Sequence, residues 1–388
     1  MPDIVIIGAG VVGTSIAYHL AKNGYRDIVV LEKDYIGSGS TEKCPGGIRQ
    51  QFATEANIRL SMESVRFLEN FEEETGYSAD FRQYGYLILA TNEAELAAFR
   101  DNIELQRTLG LEVALLSPGE VGELVPGLNL DDIVGASFCA SDGYADPYSV
   151  VSGFTSAARR FGVKIHEETE VTDIKLVKGR VRGVQTKRGN FTATAVVNAA
   201  GPYAGIIAGM AGVNIPLRPS RRHIFITEPE FNRNGPLGSL DWSDLPMVVD
   251  FHNGFWFRRE GACLIFGMRN PDEPGGFETS VDWDFFSGAL SKTACHRLPA
   301  LYDTGIARGQ SGLHSDTPDN NAILGETPEI VGLFLACGFS GHGFMHAPAV
   351  GRLMADLIME RKSALSEVGP FRSDRFQHPP QITETAFI

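Results

Sequence analysis

The sequence predicts an α/β (α+β) protein in which a parallel sheet with flanking helices is interrupted twice by a second, β-sheet-dominated unit. Three observations carry that expectation. A strand–helix–strand unit opens the chain, apolar strands that end in glycine recur near residues 198 and 337, and the stretches between them are rich in short alternating strands. A length of 388 residues favours two or three structural units over one.

Taken in order, residues 3–7 form a buried strand, 10–23 a helix with Val11, Val12, Ile16, Ala17 and Leu20 on one side, and 27–31 a second strand. Residues 33–53 have no sustained period and contain Gly37, Gly39, Gly46 and Gly47, which predicts a long loop of the kind that is commonly functional. An amphipathic helix follows over about 54–75. The aromatic run from Tyr84 to Leu89 predicts strands, and a helix is expected at 92–109. The turn from Asp142 to Pro147 leads into a helix at 148–161 with proline near its first turn. Residues 163–198 read as four or five short strands. The last, Ala195 to Asn198, is apolar enough to be central in a sheet. Strands recur at 215–228, 247–258, 262–267 and 330–336, and Gly338 to Gly343 opens a helix that runs through Met359. The expected division is a nucleotide-binding domain from 1–80, 145–215 and 320–372, a substrate domain from 81–144 and 216–319, and a tail over 373–388.

Composition narrows the function classes. Apolar residues at 43% and charged residues at 21% are ordinary for a globular protein. With 34 Lys and Arg against 48 Asp and Glu, the net charge is −14, so nucleic acid and anionic lipid are repelled overall. Glycine is in excess, 43 residues or about 11% against an average near 7%, which implies tight turns and close backbone approach. Five cysteines, no two closer than 32 positions, contain no CxxC pair and suggest free thiols in a reducing compartment. The opening Met1-Pro2-Asp3 reads as the approach to a strand, not as a signal peptide, and no run reaches the ~18 apolar residues of a membrane span. A cytoplasmic protein is expected.

The chemistry starts at Gly8-Ala9-Gly10-Val11-Val12-Gly13, a G-x-G-x-x-G turn placed directly between a strand and a helix. Its glycines permit the turn, let backbone approach a pyrophosphate at the helix N-terminus, and allow close helix–sheet packing. Glu32 ends the second strand, where its carboxylate can bind the ribose hydroxyls of an adenine dinucleotide. The fingerprint does not choose between NAD and FAD. The further strand-to-glycine features at Val196 to Gly201 and Phe334 to Gly343 favour FAD, because a long flavin cofactor must be contacted at several separated places. At the third of these, backbone N–H groups and a helix dipole can face flavin N1 and O2.

The chain resembles the FAD-dependent D-amino-acid oxidase superfamily, in the branch of glycine oxidase, sarcosine oxidase, sarcosine and dimethylglycine dehydrogenases, and the β subunit of L-proline dehydrogenase. The resemblance spans nearly the whole chain. It is carried by the fingerprint with Glu32, by Ser40-Thr41 through Gly46-Gly47-Ile48-Arg49-Gln50-Gln51-Phe52, by Asp142-Gly143 with Asp146-Pro147, by Asn198-Ala199-Ala200-Gly201-Pro202, by Thr317-Pro318-Asp319, and by Gly338 to Phe344. It implies a Rossmann-like FAD-binding domain with a discontinuous, β-sheet-dominated substrate domain. FAD contacts are then expected at Gly8, Gly10, Val11, Val12, Gly13, Glu32 and Lys33. Further contacts are expected at Ser40, Thr41, Cys44, Gly46, Gly47 and Ile48, at Val171, Ala200 and Gly201, and at Gly338, Ser340, Gly341, His342, Gly343, Phe344 and Met345.

The same resemblance implies oxidation of the C–N bond of a small amino acid of the sarcosine, dimethylglycine, proline, glycine or D-amino-acid type. Hydride passes to flavin N5 and leaves an imine that water hydrolyses. Arg49 matches the arginine that sarcosine oxidase uses for the substrate carboxylate, a role suited to its planar fork; a loop salt bridge or a phosphate contact is the alternative. His314 stands where relatives carry an arginine or a tyrosine, either as a substrate ligand that assists amine deprotonation or as a hydrogen-bonded pocket residue. Tyr86 and Arg222 are further pocket candidates. Sarcosine oxidase attaches FAD through a cysteine whose position here is Gly312, so non-covalent FAD is expected. Its two active-site lysines correspond to Ile265 and Met345, which favours a redox partner over oxygen as electron acceptor. A partner subunit is compatible with this group, and an accessory FAD-binding subunit or assembly factor is the alternative to an enzyme. His342 and His346 are spaced i, i+4 but have no third ligand in view, so no metal is expected.

Overall fold

The computed structural model describes residues 3–229, 237–238, 240, 242–360, 369–377 and 382–386. A six-stranded sheet runs in the order Ile323–Glu326, Leu333–Cys337, Ala195–Asn198, Ile4–Ile7, Ile28–Leu31, Lys164–His166. All its neighbours are parallel except the first pair. Every residue of Ile4–Ile7 and Ile28–Leu31 is buried, which is why both strands are unbroken apolar runs rather than alternating ones. Register aligns Ile7 with both Leu31 and Asn198, and Asn198 with Leu335. The carboxyl ends of four parallel strands therefore lie side by side, and the glycine motifs and Glu32 emerge along one edge. Ligands of open parallel sheets bind at that edge.

The second sheet has eight strands, ordered Ile306–Asp316, Arg218–Thr227, Cys263–Gly267, Phe255–Glu260, Met247–Asp250, Tyr86–Ala90, Gly135–Cys139, Ala114–Leu116. It is antiparallel except where Met247–Asp250 meets Tyr86–Ala90. One face packs on Phe225, Phe255, Phe257, Phe266 and Trp242. A separate antiparallel meander, Val171–Val177, Arg180–Thr186 and Gly189–Thr192, completes the five short strands between 163 and 198.

The structure departs from the sequence reading in three places. The helix expected over 54–75 is two helices, Glu55–Glu69 and Phe71–Thr75; the Asn70 side chain donates to the Arg66 carbonyl at 2.8 Å and breaks the run. The 33–53 loop contains a short strand, Gly47–Ile48, paired with Gly143–Tyr144. The strand Ile306–Asp316 and the helix Ala204–Met210 went unseen, the first because Ala-Arg-Gly-Gln-Ser-Gly shows no alternation. Of the tail expected over 373–388, residues 378–381 and 387–388 lie outside the described residues.

The first and last long helices, Val11–Lys22 and Gly343–Ile358, cross in direct contact. The Ser15 hydroxyl donates to the Ala347 carbonyl at 2.8 Å. Opposite it is Gly351, where an added Cβ would strike Ser15 and come within 2.9 Å of the His19 ring. Gly351→Ala should destabilise the protein by about 1–3 kcal/mol through overpacking, read as an earlier denaturant midpoint with an unchanged slope; a midpoint equal to wild type would show that the helices separate easily.

Candidate functional site

The first glycine turn is built from backbone. Gly8 has φ +105° and a Cβ there would lie 2.5 Å from the Ala199 carbonyl oxygen, while a Cβ on Gly13 would strike the Gly8 carbonyl. Both positions therefore require glycine. The helix starting at Val11 has no side-chain cap on its first turn from Gly10; instead the Thr41 hydroxyl accepts from the Val11 N–H at 3.1 Å. Glu32 is buried and accepts from the Ala9 N–H at 2.8 Å and the Asp34 N–H at 3.0 Å. Beside it a cleft of about 610 Å³ is lined by Lys33, Asp34, Tyr35, Ser38, Glu167 and Glu168. Lys33 lies over the Tyr203 ring at 3.6 Å. Val171 is buried where the adjoining meander begins.

The 40–52 loop connects the two sheets. The Ser40 hydroxyl donates to the Leu313 carbonyl at 2.5 Å. Gly46 packs on the Ala145 carbonyl, and Gly47 on Met247 and Tyr86. Buried Arg258 donates to the Pro45 carbonyl at 2.6 Å and stacks on Tyr144. Burial pushes the Cys44 thiol up to about 12, so it is no thiolate nucleophile. Ile48 and Tyr86 are buried, and Tyr86 is likewise raised to about 12 by burial.

Arg49, only 2% exposed, is the central charge. Its Nη1 donates to the Gln51 carbonyl at 2.7 Å and its Nη2 to the Ala386 carbonyl at 2.9 Å; Nη2 is 3.4 Å from His342 Nε2. The guanidinium stacks on Phe52 at 4.2 Å. No carboxylate among the described residues pairs with it. Behind it, fully buried Asp142 accepts from the Gln50 N–H, from Gln50 Nε2 and from Gln51 Nε2 at 2.9, 2.9 and 3.1 Å. Burial raises Asp142 to about 6.

The substrate sheet contributes one face of a two-stranded ribbon. Register pairs Ser220 with His314 and Arg222 with Gly312, so these residues and Asp316 alternate onto the same side. The Ser220 hydroxyl donates to Asp316 Oδ2 at 2.5 Å, and Arg222 reaches the same oxygen at 3.5 Å. His314 Nδ1 and Asp316 Oδ1 are buried, lie 4.0 Å apart and have no hydrogen-bond partner among the described residues. His314 sits against Gly341, where a Cβ would be 2.7 Å from the imidazole. Gly338 begins that turn, and Ser340, fully buried with φ +48°, accepts from the Thr317 N–H at 3.0 Å. The helix behind it opens at Gly343 with Phe344 and Met345 buried. Ala200 and Gly201 (φ +54°) turn out of the neighbouring strand into the turn Gly201–Tyr203.

Thus Arg49, His342, Tyr86 and the Gly47–Ile48 strand meet around one loop, while His314 faces the Gly338–Gly343 turn from the other sheet with Arg222 on the same side of that sheet. Gly10, Val11, Val12, Gly13, Glu32 and Lys33 line the far end. The role of Asp142 behind Arg49, and Asp316, Arg258, Glu384 and Ala386, escaped sequence reasoning. Asp142 stood in a quoted motif; the others gave no local signal.

A family model described as FAD dependent oxidoreductase matches residues 3–357. The chain belongs to the FAD-dependent oxidoreductase family. It is 32% identical over its whole length to FAD-dependent oxidoreductase domain-containing protein 1 of Xenopus laevis, covering 85% of that protein. It is 31% identical over 98% of its length to mitochondrial sarcosine dehydrogenase of Homo sapiens, covering 43% of that longer chain. The crystal structure of L-proline dehydrogenase from P. horikoshii matches with a TM-score of 0.90 and 36% identity, covering 98% of this chain and 99% of that one. The FAD dependence of the family fits the residues present: a glycine cradle that Cβ atoms would fill, Glu32 at the strand end, and unpartnered buried polar atoms facing the second glycine turn. No helix among the described residues is long and apolar enough to cross a membrane, and no group of three His, Cys, Asp or Glu there could hold a metal ion.

His314 and His346 are both pushed from 6.5 down to about 3, chiefly by burial, with Arg222 and Arg49 respectively adding to it. Each is neutral when folded but takes up a proton when unfolded, so stability falls as pH drops below about 6.5 toward 3. The melting temperature should decline over that window, and His346→Gln should flatten the decline; an unaltered slope would mean that His346 does not stay neutral.

Proposed function

We propose that the protein oxidises the C–N bond of a small amino acid, of the sarcosine, dimethylglycine, proline, glycine or D-amino-acid type. The observation that carries this reading is Arg49: a buried guanidinium held by two carbonyls and a ring, without a carboxylate partner among the described residues. An uncompensated buried cation is costly, and a substrate carboxylate supplies the missing charge through the remaining N–H donors. Bound FAD supplies the two-electron acceptor. His314, kept neutral by burial, offers the amine a hydrogen-bond partner, one of the roles expected for it. The reaction needs the substrate amine neutral, with its lone pair available. Loss of hydrogen from carbon then leaves an imine that water hydrolyses.

The reading includes non-covalent FAD. Gly312 corresponds to the cysteine through which sarcosine oxidase holds its FAD, and even a Cβ there would lie 2.8 Å from Lys43 Cβ. Acid or heat denaturation should release all flavin into the supernatant; yellow precipitated polypeptide would overturn this. Ile265 and Met345 are buried apolar residues, which supports a redox partner rather than oxygen as electron acceptor.

The decisive experiment is anaerobic mixing with sarcosine, dimethylglycine, L-proline, glycine and D-amino acids. At least one should bleach the oxidised flavin band, and silence with all of them would move the protein to an accessory role. With the reactive amino acid, Arg49→Lys should raise KM roughly 100-fold while FAD stays bound; loss of FAD instead would make Arg49 a cofactor ligand.

A further inference from the structure

The segment Ile382–Ala386 reaches Arg49 by a route tied down at every step. It passes behind Thr317-Pro318-Asp319. Asp319, 1% exposed, accepts from Arg375 Nε and Nη2 at 2.7 and 3.0 Å, which pins residues 369–377 beside the motif. Asn321 Nδ2 then donates to the Ile382 carbonyl at 2.6 Å, the Glu384 N–H to the Asp319 carbonyl at 2.9 Å, and Asn320 Nδ2 to the Glu384 carbonyl at 3.0 Å.

Glu384 is fully buried, and its carboxylate is saturated. Oε1 accepts from the Ala53 N–H and the Ala386 N–H, both at 2.9 Å. Oε2 accepts from the Thr54 N–H at 3.2 Å, the Thr54 hydroxyl at 2.8 Å and Asn57 Nδ2 at 3.0 Å. One side chain thereby fastens the segment to the start of the helix Glu55–Glu69 and folds the chain so that the Ala386 carbonyl meets Arg49 Nη2. The charge matters as well as the shape. The Glu384 carboxyl group lies near Arg49 without touching it, and supports the cation electrostatically while leaving its N–H groups to other acceptors.

We propose that Ile382–Ala386 is a wall of the anion-anchoring site, and that Glu384 is the positioning residue that sets the Arg49 guanidinium through the Ala386 carbonyl. This rests on the reading of Arg49 as the carboxylate anchor. A guanidinium fixed in its plane loses less freedom when it captures a carboxylate, so the segment contributes to substrate affinity and not to the chemical step.

The test uses the FAD-loaded full chain, Glu384→Gln, Glu384→Asp, and a chain ending at residue 381. For the amino acid that bleaches the flavin, Glu384→Gln and the shortened chain should raise KM ~10-fold or more with kcat within ~2-fold, and Glu384→Asp should recover part of the loss. A simple amine without a carboxylate should show no such rise. Independently of turnover, phenylglyoxal labelling read by mass spectrometry should find Arg49 protected in the full chain and modified in both altered proteins. An equal KM rise for the simple amine, an unchanged KM, or an Arg49 that stays protected after Glu384 is changed would overturn the proposal. If no amino acid reduces the flavin, the substrate reading fails, while the labelling still decides whether Glu384 holds Arg49.

Discussion

The close crossing of the helices Val11–Lys22 and Gly343–Ile358 is the constraint on which the rest of the fold depends. Each helix carries a glycine turn at its N-terminus, and both turns arrive at the same sheet edge. That requires the helix axes to approach through small residues. Gly351 against Ser15 provides this, and the Ser15 hydrogen bond to the Ala347 carbonyl fixes the approach. Pro348 stands beside this contact in the helix interior. From there the second turn reaches the other sheet, since Ser340 accepts from Thr317 and its own N–H donates to the Ser315 carbonyl at 3.0 Å. The distance between the cofactor end and the substrate face is thus set by packing at a glycine far from either.

Electrostatic balance at the site follows from burial rather than from ion pairing. Arg49 carries no carboxylate partner among the described residues, Asp142 is desolvated enough to be raised to about 6, and His314 and His346 stay neutral. Each shift disfavours the charged form, as removal from water must. In Asp142 the hydrogen bonds from Gln50 and Gln51 work against that shift without cancelling it. The carboxylate holds the Gln50 backbone and the Gln51 side chain in place, and Gln51 in turn presents its carbonyl to Arg49. The anchor's geometry is therefore set by neutral carbonyls, and its charge is left for a ligand.

Legibility in the sequence tracked the kind of constraint. Gly8 and Gly13 were readable because a backbone collision admits one residue type, and Glu32 because it ends a strand at a fixed distance from them. Arg49 and the Gly338–Gly343 turn were readable through resemblance. The break at Asn70 was hidden because asparagine is tolerated within a helical pattern and its side-chain competition for the backbone is local. The strand Ile306–Asp316 was hidden because it lies on a sheet edge and pairs along the length of Arg218–Thr227 without needing an alternating apolar face. Glu384 was unreadable for a different reason: all its meaning lies in contacts about 330 positions away, at Ala53, Thr54 and Asn57, and no local pattern encodes such a partner.

The long-range contacts also resolve the chain's overall charge. At −14 the protein repels anions at a distance, yet buried Arg49 on the 40–52 loop and half-buried Arg222 on the eight-stranded sheet are cations, each lowered by desolvation. Screening at physiological ionic strength confines the unfavourable field to about 8 Å from the surface, whereas a buried guanidinium acts through a poorly screened interior. Capture is then governed by the few groups that set those two cations. On the side of Arg222 that group is Asp316, tied to Ser220; on the side of Arg49 it is a carbonyl delivered from the far end of the chain. The two anchors differ in kind. Arg222 is partly neutralised by Asp316, while Arg49 has no carboxylate partner among the described residues, so on the proposed reading the carboxylate goes to Arg49 and a less polar part of the ligand to Arg222.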